Sequence, residues 1–443
     1  MGKITFLGAG STVFAKSLIG DAMLTPSLKD FEIALYDIDA ERLEESYIMV
    51  NALNRNINEG RSKITKHLGV ENRRDALRDA DFALNAIQVG GYEPCTVTDF
   101  EVPKKYGLRQ TIADTTGVGG VFRALRTIPV MEGIARDMED VCPKCLLINY
   151  TNPMAMVTGY MGRFSKISTV GLCHSVQVCA REVLSALGIP HSEPIRENIA
   201  GINHMAWLLE LYDSDGTDLY PEIRKRADEV LTGKRKIEAV DFVRLEYVRR
   251  LGYYVTESSE HSAEYNNFFI KSAYPELIDQ YKIPLDEYPR RCIHQIEEWK
   301  SGKEKYLAGD ITHTRSREYA SYIMEAIMTD IPCKIGGNVV NNGAIPNLPK
   351  DACVEIACLV NKAGIQPCMQ KPLPTVCAAM NMTEINVQLL AIEAAVEQSR
   401  QKVYQAVMLD PHASSELSIA KIAAMCDELL DRHHMDGFMP LYH

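Results

Sequence analysis

The 443-residue sequence lacks a long hydrophobic run, an excess of basic residues and a regular cysteine framework. No apolar stretch approaches the ~18 residues needed to span a bilayer, so we expect no membrane partner. Asp and Glu number 59 against 48 Lys and Arg, and nucleic acids are held by clustered basic residues, so we expect no nucleic-acid partner. The 12 cysteines are scattered, which is typical of reduced thiols in a cytoplasmic protein. The N-terminus also lacks the apolar segment of a secretory signal, which favours the same location.

The first half of the chain alternates short apolar runs with helical patterns. Five of these runs predict strands, at 4–7, 33–36, 82–87, 146–149 and 169–173. Such alternation predicts an α/β fold with a doubly wound parallel sheet, whose ligands bind at the carboxyl ends of the strands. The chain is longer than one hydrophobic core usually organises. We therefore expect a Rossmann-like nucleotide-binding domain over 1–195 and a mixed α/β domain for substrate binding and oligomerisation over 196–443.

A glycine turn follows the first predicted strand and precedes a helical pattern. Gly8 and Gly10 allow a tight turn there, and Ser11 and Thr12 open the helix, so the helix N-terminus is expected to face a pyrophosphate. Position 13 is Val rather than the third glycine of the usual motif. The turn alone is therefore a weak signal for a dinucleotide.

Asp37 strengthens the interpretation because it ends the second predicted strand. A carboxylate at this place accepts both ribose hydroxyls and repels a 2′-phosphate, which favours NAD over NADP. In an alternative interpretation Asp37 only caps the helix that starts near residue 40, although Asp39 is better placed for that cap.

Two further segments resemble the lactate and malate dehydrogenase superfamily. Residues 79–86 are similar to its fourth strand, and residues 149–153 to the Asn-Pro loop after its fifth strand. This resemblance implies that Asn85 and Asn149 lie at the cofactor, and it makes the first domain dehydrogenase-like.

Cys173 and His204 each follow an apolar strand pattern, and together they suggest a metal site. A thiolate and an imidazole suit a divalent transition metal whose other positions stay open for substrate oxygens. Two protein ligands are too few for a closed structural zinc site. His174 is a further candidate, as a ligand, a proton donor or a partner of a ligand.

Residues 257–265 place several titratable groups in a short segment without a steady helical period. One interpretation is a solvated loop. The other makes Tyr265 a general base whose phenol pKa is lowered by a neighbouring cation or metal. Arg291, in a charged segment further on, either binds substrate or pairs with acidic residues of the chain.

Six motifs make the chain similar to glycoside hydrolase family 4, the NAD- and manganese-dependent glycosidases. They are KITFLGAGS at 3–11, GGYEPC at 90–95, TIADT at 111–115, NPMAM at 152–156, GLCHSVQ at 171–177 and GINHMA at 201–206. The resemblance runs nearly end to end and is strongest to the branch that cleaves terminal α-D-galactosides such as melibiose.

The resemblance implies a redox-elimination mechanism rather than a pair of catalytic carboxylates. In the family, NAD oxidises the C3 hydroxyl, a tyrosine removes the acidified C2 proton, the aglycone is eliminated, water adds, and the hydride returns. By this resemblance Cys173 and His204 bind Mn²⁺ or another divalent metal, Asn152 binds a substrate hydroxyl, and Tyr265 is the base. His174 stands where phosphoglycosidases often carry an acidic residue, so it becomes the candidate leaving-group acid.

Several alternatives remain open at this point. Related enzymes cleave α-galacturonides or 6-phospho-α-glycosides. In a different class, an NAD-dependent 2-hydroxyacid dehydrogenase needs a His-Asp relay that the sequence does not offer, and an NAD sensor would bind the dinucleotide without turnover. Symmetric assembly is common in such enzymes, so a homo-oligomer, a dimer or a tetramer, is expected.

Overall fold

The computed structural model describes residues 2–238 and 241–443, apart from the side chains of Thr12, Val13 and Lys305. The strands are β1 Lys3–Leu7, β2 Glu32–Asp37, β3 Ile64–Leu68, β4 Phe82–Asn85, β5 Leu146–Asn149, β6 Thr169–Gly171, β7 Arg196–Ile202, β8 Met205–Tyr212, β9 Tyr254–Val255, β10 Cys333–Val340, β11 Cys353–Asn361 and β12 Gly364–Pro367.

The helices surround these strands on both sides. They are α1 Thr12–Leu24, α2 Ala40–Asn58, α3 Arg73–Leu77, α4 Val97–Tyr106, α5 Gly117–Val141, α6 Met154–Phe164, α7 Ser175–Ala186, α8 Tyr220–Leu231, α9 Phe242–Leu251, α10 Ser259–Glu264, α11 Glu276–Tyr281, α12 Glu287–Leu307, α13 Ala320–Thr329, α14 Thr375–Glu397, α15 Arg400–Leu409, α16 Pro411–Glu416 and α17 Ile419–Met435. Short helical turns also occur at Pro26–Leu28, Val70–Asn72 and Gly91–Thr96.

The predicted doubly wound parallel sheet is confirmed. Its first six strands lie in the order β3-β2-β1-β4-β5-β6, and every neighbouring pair among them is parallel. The order reverses at β1, which pairs with both β2 and β4, and this is the switch point where such sheets bind ligands. All five strands predicted in this half are present. The sequence analysis missed β3, because Lys66 and His67 give this edge strand a polar pattern.

The sheet continues into the second half of the chain without a break. β6 pairs antiparallel with β10 through Gly171 and Asn338, and the order then runs β10-β11-β7-β8-β9, with β12 on β11. The strands β7 and β8 form a hairpin in which Ile202 pairs with Met205. This mixed α/β second part agrees with the predicted fold class, and it brings the β7–β8 turn beside the ends of the parallel strands.

Alternate residues of β1 enter two different hydrophobic clusters. Ile4 and Phe6 lie in one cluster, and Leu7 lies in the other. Because successive side chains of a strand point to opposite faces, the sheet is buried on both sides. None of the helices in the described part of the chain is long and apolar enough to cross a membrane.

Candidate active site

The turn between β1 and α1 is built so that only glycine fits its first position. Gly8 has a φ of +84°, and a Cβ there would lie 2.8 Å from the backbone of Ala86 at the end of β4. Both the left-handed conformation and the close approach exclude a side chain. The turn therefore lies tightly against the switch point, with the N-terminus of α1 directly after it.

Asp37 lies at the carboxyl end of β2 and contacts this turn. Its Oδ2 accepts a hydrogen bond from the Gly10 amide at 2.6 Å, and its Oδ1 accepts one from the Asp39 amide at 3.0 Å. The cap of α2 is Asp39, whose side chain accepts from the Arg42 amide. The alternative in which Asp37 caps α2 is therefore wrong. A carboxylate beside a glycine turn is an arrangement that fits the ribose of a dinucleotide.

The other residues predicted to bind the cofactor lie at the start of α1 or at the ends of β4 and β5. Ser11 occupies the N-cap position of α1, and its hydroxyl forms no cap bond there. The side chain of Thr12 lies outside the described part of the structure. Asn85 and Asn149 are fully buried, and the Asn85 amide donates to Asn149 Oδ1 at 2.8 Å. Their side chains therefore join the ends of β4 and β5 beside the turn.

Cys173, His204 and Glu257 form a cluster that fits a metal ion. Their ligand atoms all lie within 4.8 Å of one another. Glu257 Oε2 is 3.3 Å from His204 Nε2 and 4.0 Å from Cys173 Sγ. Atoms bound about 2.0–2.3 Å from one ion are separated by similar distances. The predicted pair of ligands is thus brought together, and Glu257 joins it from a segment that the sequence analysis did not assign to the metal.

The electrostatics of the cluster also favour a cation. Burial raises the pKa of the Cys173 thiol well above 9.0, and the Glu355 and Glu257 carboxylates raise it further. Burial lowers the pKa of His204, although the Glu257 and Asp114 carboxylates act in the opposite direction. Burial opposes the charge of Glu257, but His204 and His261 outweigh it and hold that pKa at about 2. A carboxylate, an imidazole and a thiol that a cation would help to ionise are a suitable donor set for a divalent transition metal.

His204 is held in orientation by two hydroxyl groups. It lies in the turn between β7 and β8 with a φ of +62°, a conformation that non-glycine residues seldom adopt outside functional or turn positions. Its Nδ1 lies 2.9 Å from Thr115 Oγ1 and 3.1 Å from Tyr265 Oη. Because Nδ1 is engaged there, Nε2 faces Glu257 and the rest of the cluster.

Tyr265 follows α10 directly and is 1% exposed. Its segment is a short buried helix, so the alternative of a solvated loop is wrong. Burial raises the pKa of Tyr265 well above 10.0, and Asp114 and Glu264 raise it further. The protein groups around the phenol thus keep it protonated, opposite to the lowering that the sequence analysis expected from a nearby cation.

Asp114 links the predicted substrate residue Asn152 to the histidines. Asn152 Nδ2 donates to Asp114 Oδ2 at 2.9 Å, and Asp114 Oδ1 lies 3.8 Å from His261 Nε2. The sequence analysis did not select Asp114 or Glu257, because their motifs carry no ligand spacing of their own. The sequence did contain a signal for each of them. Asp114 lies in the TIADT motif at 111–115, and Glu257 lies in the same titratable segment as Tyr265.

The two remaining candidates, His174 and Arg291, each contact acidic side chains. His174 precedes α7, and its Nε2 contacts Glu318, whose hydrogen bond raises the pKa of His174 against the opposing effect of burial. Arg291 lies on α12, pairs with Glu260 and Glu287, and lines a cavity of about 220 Å³. Within the described structure, none of the hydrogen bonds of Arg291 reaches Asn152, Asp114 or Tyr265.

Comparison with known proteins accounts for this arrangement. The Family 4 glycosyl hydrolase profile matches residues 3–189, and the Family 4 glycosyl hydrolase C-terminal domain profile matches residues 199–413. The chain is 55% identical to an alpha-galactosidase of Bacillus subtilis (strain 168) over 437 residues, which cover 98% of this chain and 98% of the relative. It is 31% identical to an alpha-galactosidase of Rhizobium meliloti (strain 1021), with 97% of this chain and 87% of the relative covered.

A solved structure shows the same fold. The crystal structure of a 6-phospho-alpha-glucosidase from gut microorganisms, in complex with NAD and Mn²⁺, is similar with a TM-score of 0.79 at 21% identity, covering 100% of both chains. Two profile matches that together span most of the sequence, and a relative 55% identical across it, lead to one conclusion: this chain belongs to family 4 of the glycosyl hydrolases.

Proposed function

We propose that this protein is an NAD- and manganese-dependent α-galactosidase that hydrolyses terminal α-D-galactosides such as melibiose. The observation that carries the proposal is the buried cluster of Cys173, His204 and Glu257 with Tyr265 in contact with His204. The high identity to an alpha-galactosidase supports the choice of sugar.

The chain offers a separate set of residues for each bound group. Gly8, Gly10, Ser11, Thr12 and Asp37 would hold NAD, with Asn85 and Asn149 supporting the strand ends beside it. Cys173, His204 and Glu257 would hold the divalent ion. When bound, NAD supplies reversible oxidation at C3 of the sugar, and the ion supplies a Lewis acid beside it.

The side chains then account for the proton transfers. Tyr265 would accept the C2 proton as a phenolate, because a bound divalent ion would favour loss of the phenol proton that the protein groups alone retain. The contact of its Oη with His204 Nδ1 fixes the ring beside the cluster. His174 donates a proton to the departing glycosidic oxygen, with its imidazole held by Glu318. Asn152 positions a sugar hydroxyl, and its own orientation is set by Asp114. After elimination, water would add at C1 and Tyr265 would return a proton to C2. Return of the hydride to C3 would then restore that hydroxyl, so the sugar leaves at its original oxidation level.

We further propose a cytoplasmic homo-oligomer, a dimer or a tetramer, with one small-molecule substrate. All 12 cysteines are free thiols, as a reducing compartment favours. Large apolar side chains such as Ile331 and Met369 are 67% and 72% exposed, which suits contact with another copy of the chain. Light scattering after size-exclusion chromatography measures the number of subunits.

Hydrolysis of 4-nitrophenyl α-D-galactopyranoside tests the proposed activity. We expect turnover under reducing conditions only when NAD and Mn²⁺ are both present, with no net NADH formed. Turnover of the α-galacturonide or the 6-phosphogalactoside alone would replace the sugar assignment. Net NADH formation from a 2-hydroxy acid, with no glycoside cleaved, would contradict a glycosidase.

A further inference from the structure

A single row of paired residues crosses four neighbouring strands beside the metal cluster. Its members, from β6 through β10 and β11 to β7, are Gly171, Asn338, Glu355 and Gly201. The side chains of Asn338 and Glu355 are fully buried, and residues directly opposite each other point to the same face of a sheet. Asn338 Nδ2 donates to Glu355 Oε1 at 2.8 Å and to the Gly171 carbonyl at 3.4 Å. Side chains as well as backbone therefore join the strands along this row.

Each end of the row leads to one of the two ligands that the sequence predicted for the metal. Cys173 lies two residues after Gly171, and His204 lies three residues after Gly201. A second contact ties the first of these ligands to β10, because the Tyr319 hydroxyl lies 3.0 Å from the Cys173 carbonyl oxygen and 2.8 Å from a carbonyl oxygen of β10. The strands β10 and β11 therefore lie between the two ligand-bearing strands and set their separation.

Stability alone does not explain a polar pair at the centre of this sheet. The residues beside the pair along β10 and β11 include Val339, Val354 and Ile356, which are all buried. Burial raises the pKa of the Glu355 carboxyl to about 7, against the opposing effect of the hydrogen bond from Asn338. Two apolar side chains of the same shape can stabilise a core as well as a buried hydrogen-bonded pair does. Departures from an apolar pattern are expected at functional sites, and this pair lies beside one.

We propose that Asn338 and Glu355 are positioning residues, whose hydrogen bond holds Cys173 and His204 at the separation that the divalent ion requires. The proposal rests on the metal site of the function proposed above and adds the support of its ligands. Metal ligands must be held within about 0.5 Å of their productive places. The hydrogen bond fixes β10 against β11 at that precision, and it needs an acceptor at position 355 rather than a negative charge.

Titration of Mn²⁺ into two variants of Glu355, followed by electron paramagnetic resonance of the free ion, tests the proposal. Glu355→Leu leaves the buried Asn338 amide without its acceptor, so we expect the Mn²⁺ affinity to fall at least about tenfold, as for other residues that support metal ligands. Glu355→Gln keeps an acceptor for Asn338 Nδ2 and should bind Mn²⁺ with nearly the wild-type affinity. An equal loss in both variants would show that the charge of Glu355 acts instead, and would overturn the proposal.

A double variant separates positioning of the ligands from stability of the fold. Asn338→Leu combined with Glu355→Leu removes the buried donor and its acceptor together, so the melting temperature should recover toward that of the wild type. The Mn²⁺ affinity should stay as weak as in Glu355→Leu, because two leucines pack against each other without the fixed geometry of a hydrogen bond. Recovery of the affinity together with the melting temperature would show a purely structural role and would overturn the proposal.

Two control variants remove hydrogen bonds elsewhere in the same sheet. Thr5→Val removes a buried bond of 2.7 Å from β1 to the Ala76 carbonyl, so it should lower the melting temperature without changing the Mn²⁺ affinity. Gln366→Leu removes a bond of 2.9 Å from β12 to Asn361 at the end of β11, and it should change neither quantity. A loss of Mn²⁺ affinity in either control as large as in Glu355→Leu would overturn the proposal, because the row would then have no special place.

The wild-type protein separates this proposal from the proposed function, since Mn²⁺ titration needs no turnover. If the wild type binds Mn²⁺ but cleaves no α-galactoside, the assignment as an α-galactosidase fails, and the Mn²⁺ affinities of the variants still support or overturn the role of Asn338 and Glu355. If the wild type binds no Mn²⁺, the metal site and this proposal are overturned together.

Discussion

Glu257 is the residue on which we expect the Mn²⁺ affinity of the Cys173–His204–Glu257 cluster to depend most directly. It is the member that carries a full negative charge before any ion binds, because its pKa is held at about 2 by His204 and His261 against the effect of burial. The Cys173 thiol must lose a proton before it can bind a metal ion, whereas the Glu257 carboxyl is already ionised. A carboxylate in this position therefore supplies much of the attraction for a divalent ion.

Glu257→Gln should weaken Mn²⁺ binding at least about tenfold, since changes even outside the ligand shell commonly cost that much. Electron paramagnetic resonance titration of free Mn²⁺ measures the affinity without relying on turnover. Glu246→Gln, which removes a largely buried carboxylate of α9 that is paired with Arg250, is the matched control. Unchanged Mn²⁺ affinity in Glu257→Gln would exclude Glu257 as a ligand.

At the scale of elements, Glu264 connects α10 to the segment that precedes α5. Its carboxylate accepts from the backbone amides of Thr111 at 2.7 Å and Ala113 at 2.8 Å, and from Ile112 at 3.2 Å. Ala113 has a φ of +54°, so this turn needs such support. The connection places Asp114 and Thr115 beside His204 and Tyr265.

Glu264→Gln should lower the free energy of unfolding by about 1–3 kcal/mol, because an amide NH₂ then faces backbone N–H groups. Activity should fall as well, since Thr115 loses its fixed place at His204. Chemical denaturation and steady-state kinetics measure the two effects. A variant with wild-type stability would show that the three amide bonds do not hold the segment.

The elements divide clearly into those that the sequence predicts and those that it does not. Ile4 and Phe6 lie in a short, mostly apolar run, and Cys173 and His204 lie in local motifs, so the parallel sheet and the approach of Cys173 to His204 were predictable. Glu257 and Asp114 meet at His261 only when the segments that precede α10 and α5 come together. No spacing along the chain encodes that meeting, and this is why neither carboxylate was predicted from the sequence.

At the scale of the whole molecule, a buried ion-pair network joins the C-terminal helix α17 to α4 and α5 in the N-terminal half of the chain. Asp99 on α4 accepts from Arg126 on α5 at 2.7 Å and lies 2.8 Å from His433 on α17. Burial would raise the pKa of Asp99, but Arg126 and His433 outweigh it and hold the pKa below 3.8. The carboxylate is therefore ionised in the folded protein at every pH near neutrality.

The sign of the pH dependence follows from that lowered pKa. Below pH 3.8 the unfolded chain binds a proton at Asp99 that the folded chain does not, so the contribution of Asp99 to stability is complete above pH 3.8 and is lost as the pH falls through the folded pKa. Asp99→Asn should lose about 3–5 kcal/mol near pH 7, because Arg126 is left unpaired. Urea denaturation at several pH values should show that the difference in unfolding free energy between wild type and Asp99→Asn becomes smaller in acid. A difference in unfolding free energy that does not change with pH would contradict an ionised Asp99–Arg126 pair.

The exchange of hydrogen at C2 of the sugar tests the central claim most directly. Hydrolysis in D₂O, followed by mass spectrometry and proton NMR of the released galactose, reports whether the C2 hydrogen has left the sugar. Abstraction by Tyr265 with later return of a solvent proton predicts deuterium at C2 of every product molecule, and Tyr265→Phe should abolish it together with turnover. Galactose released with its original C2 hydrogen would show a direct displacement and would contradict the redox-elimination mechanism.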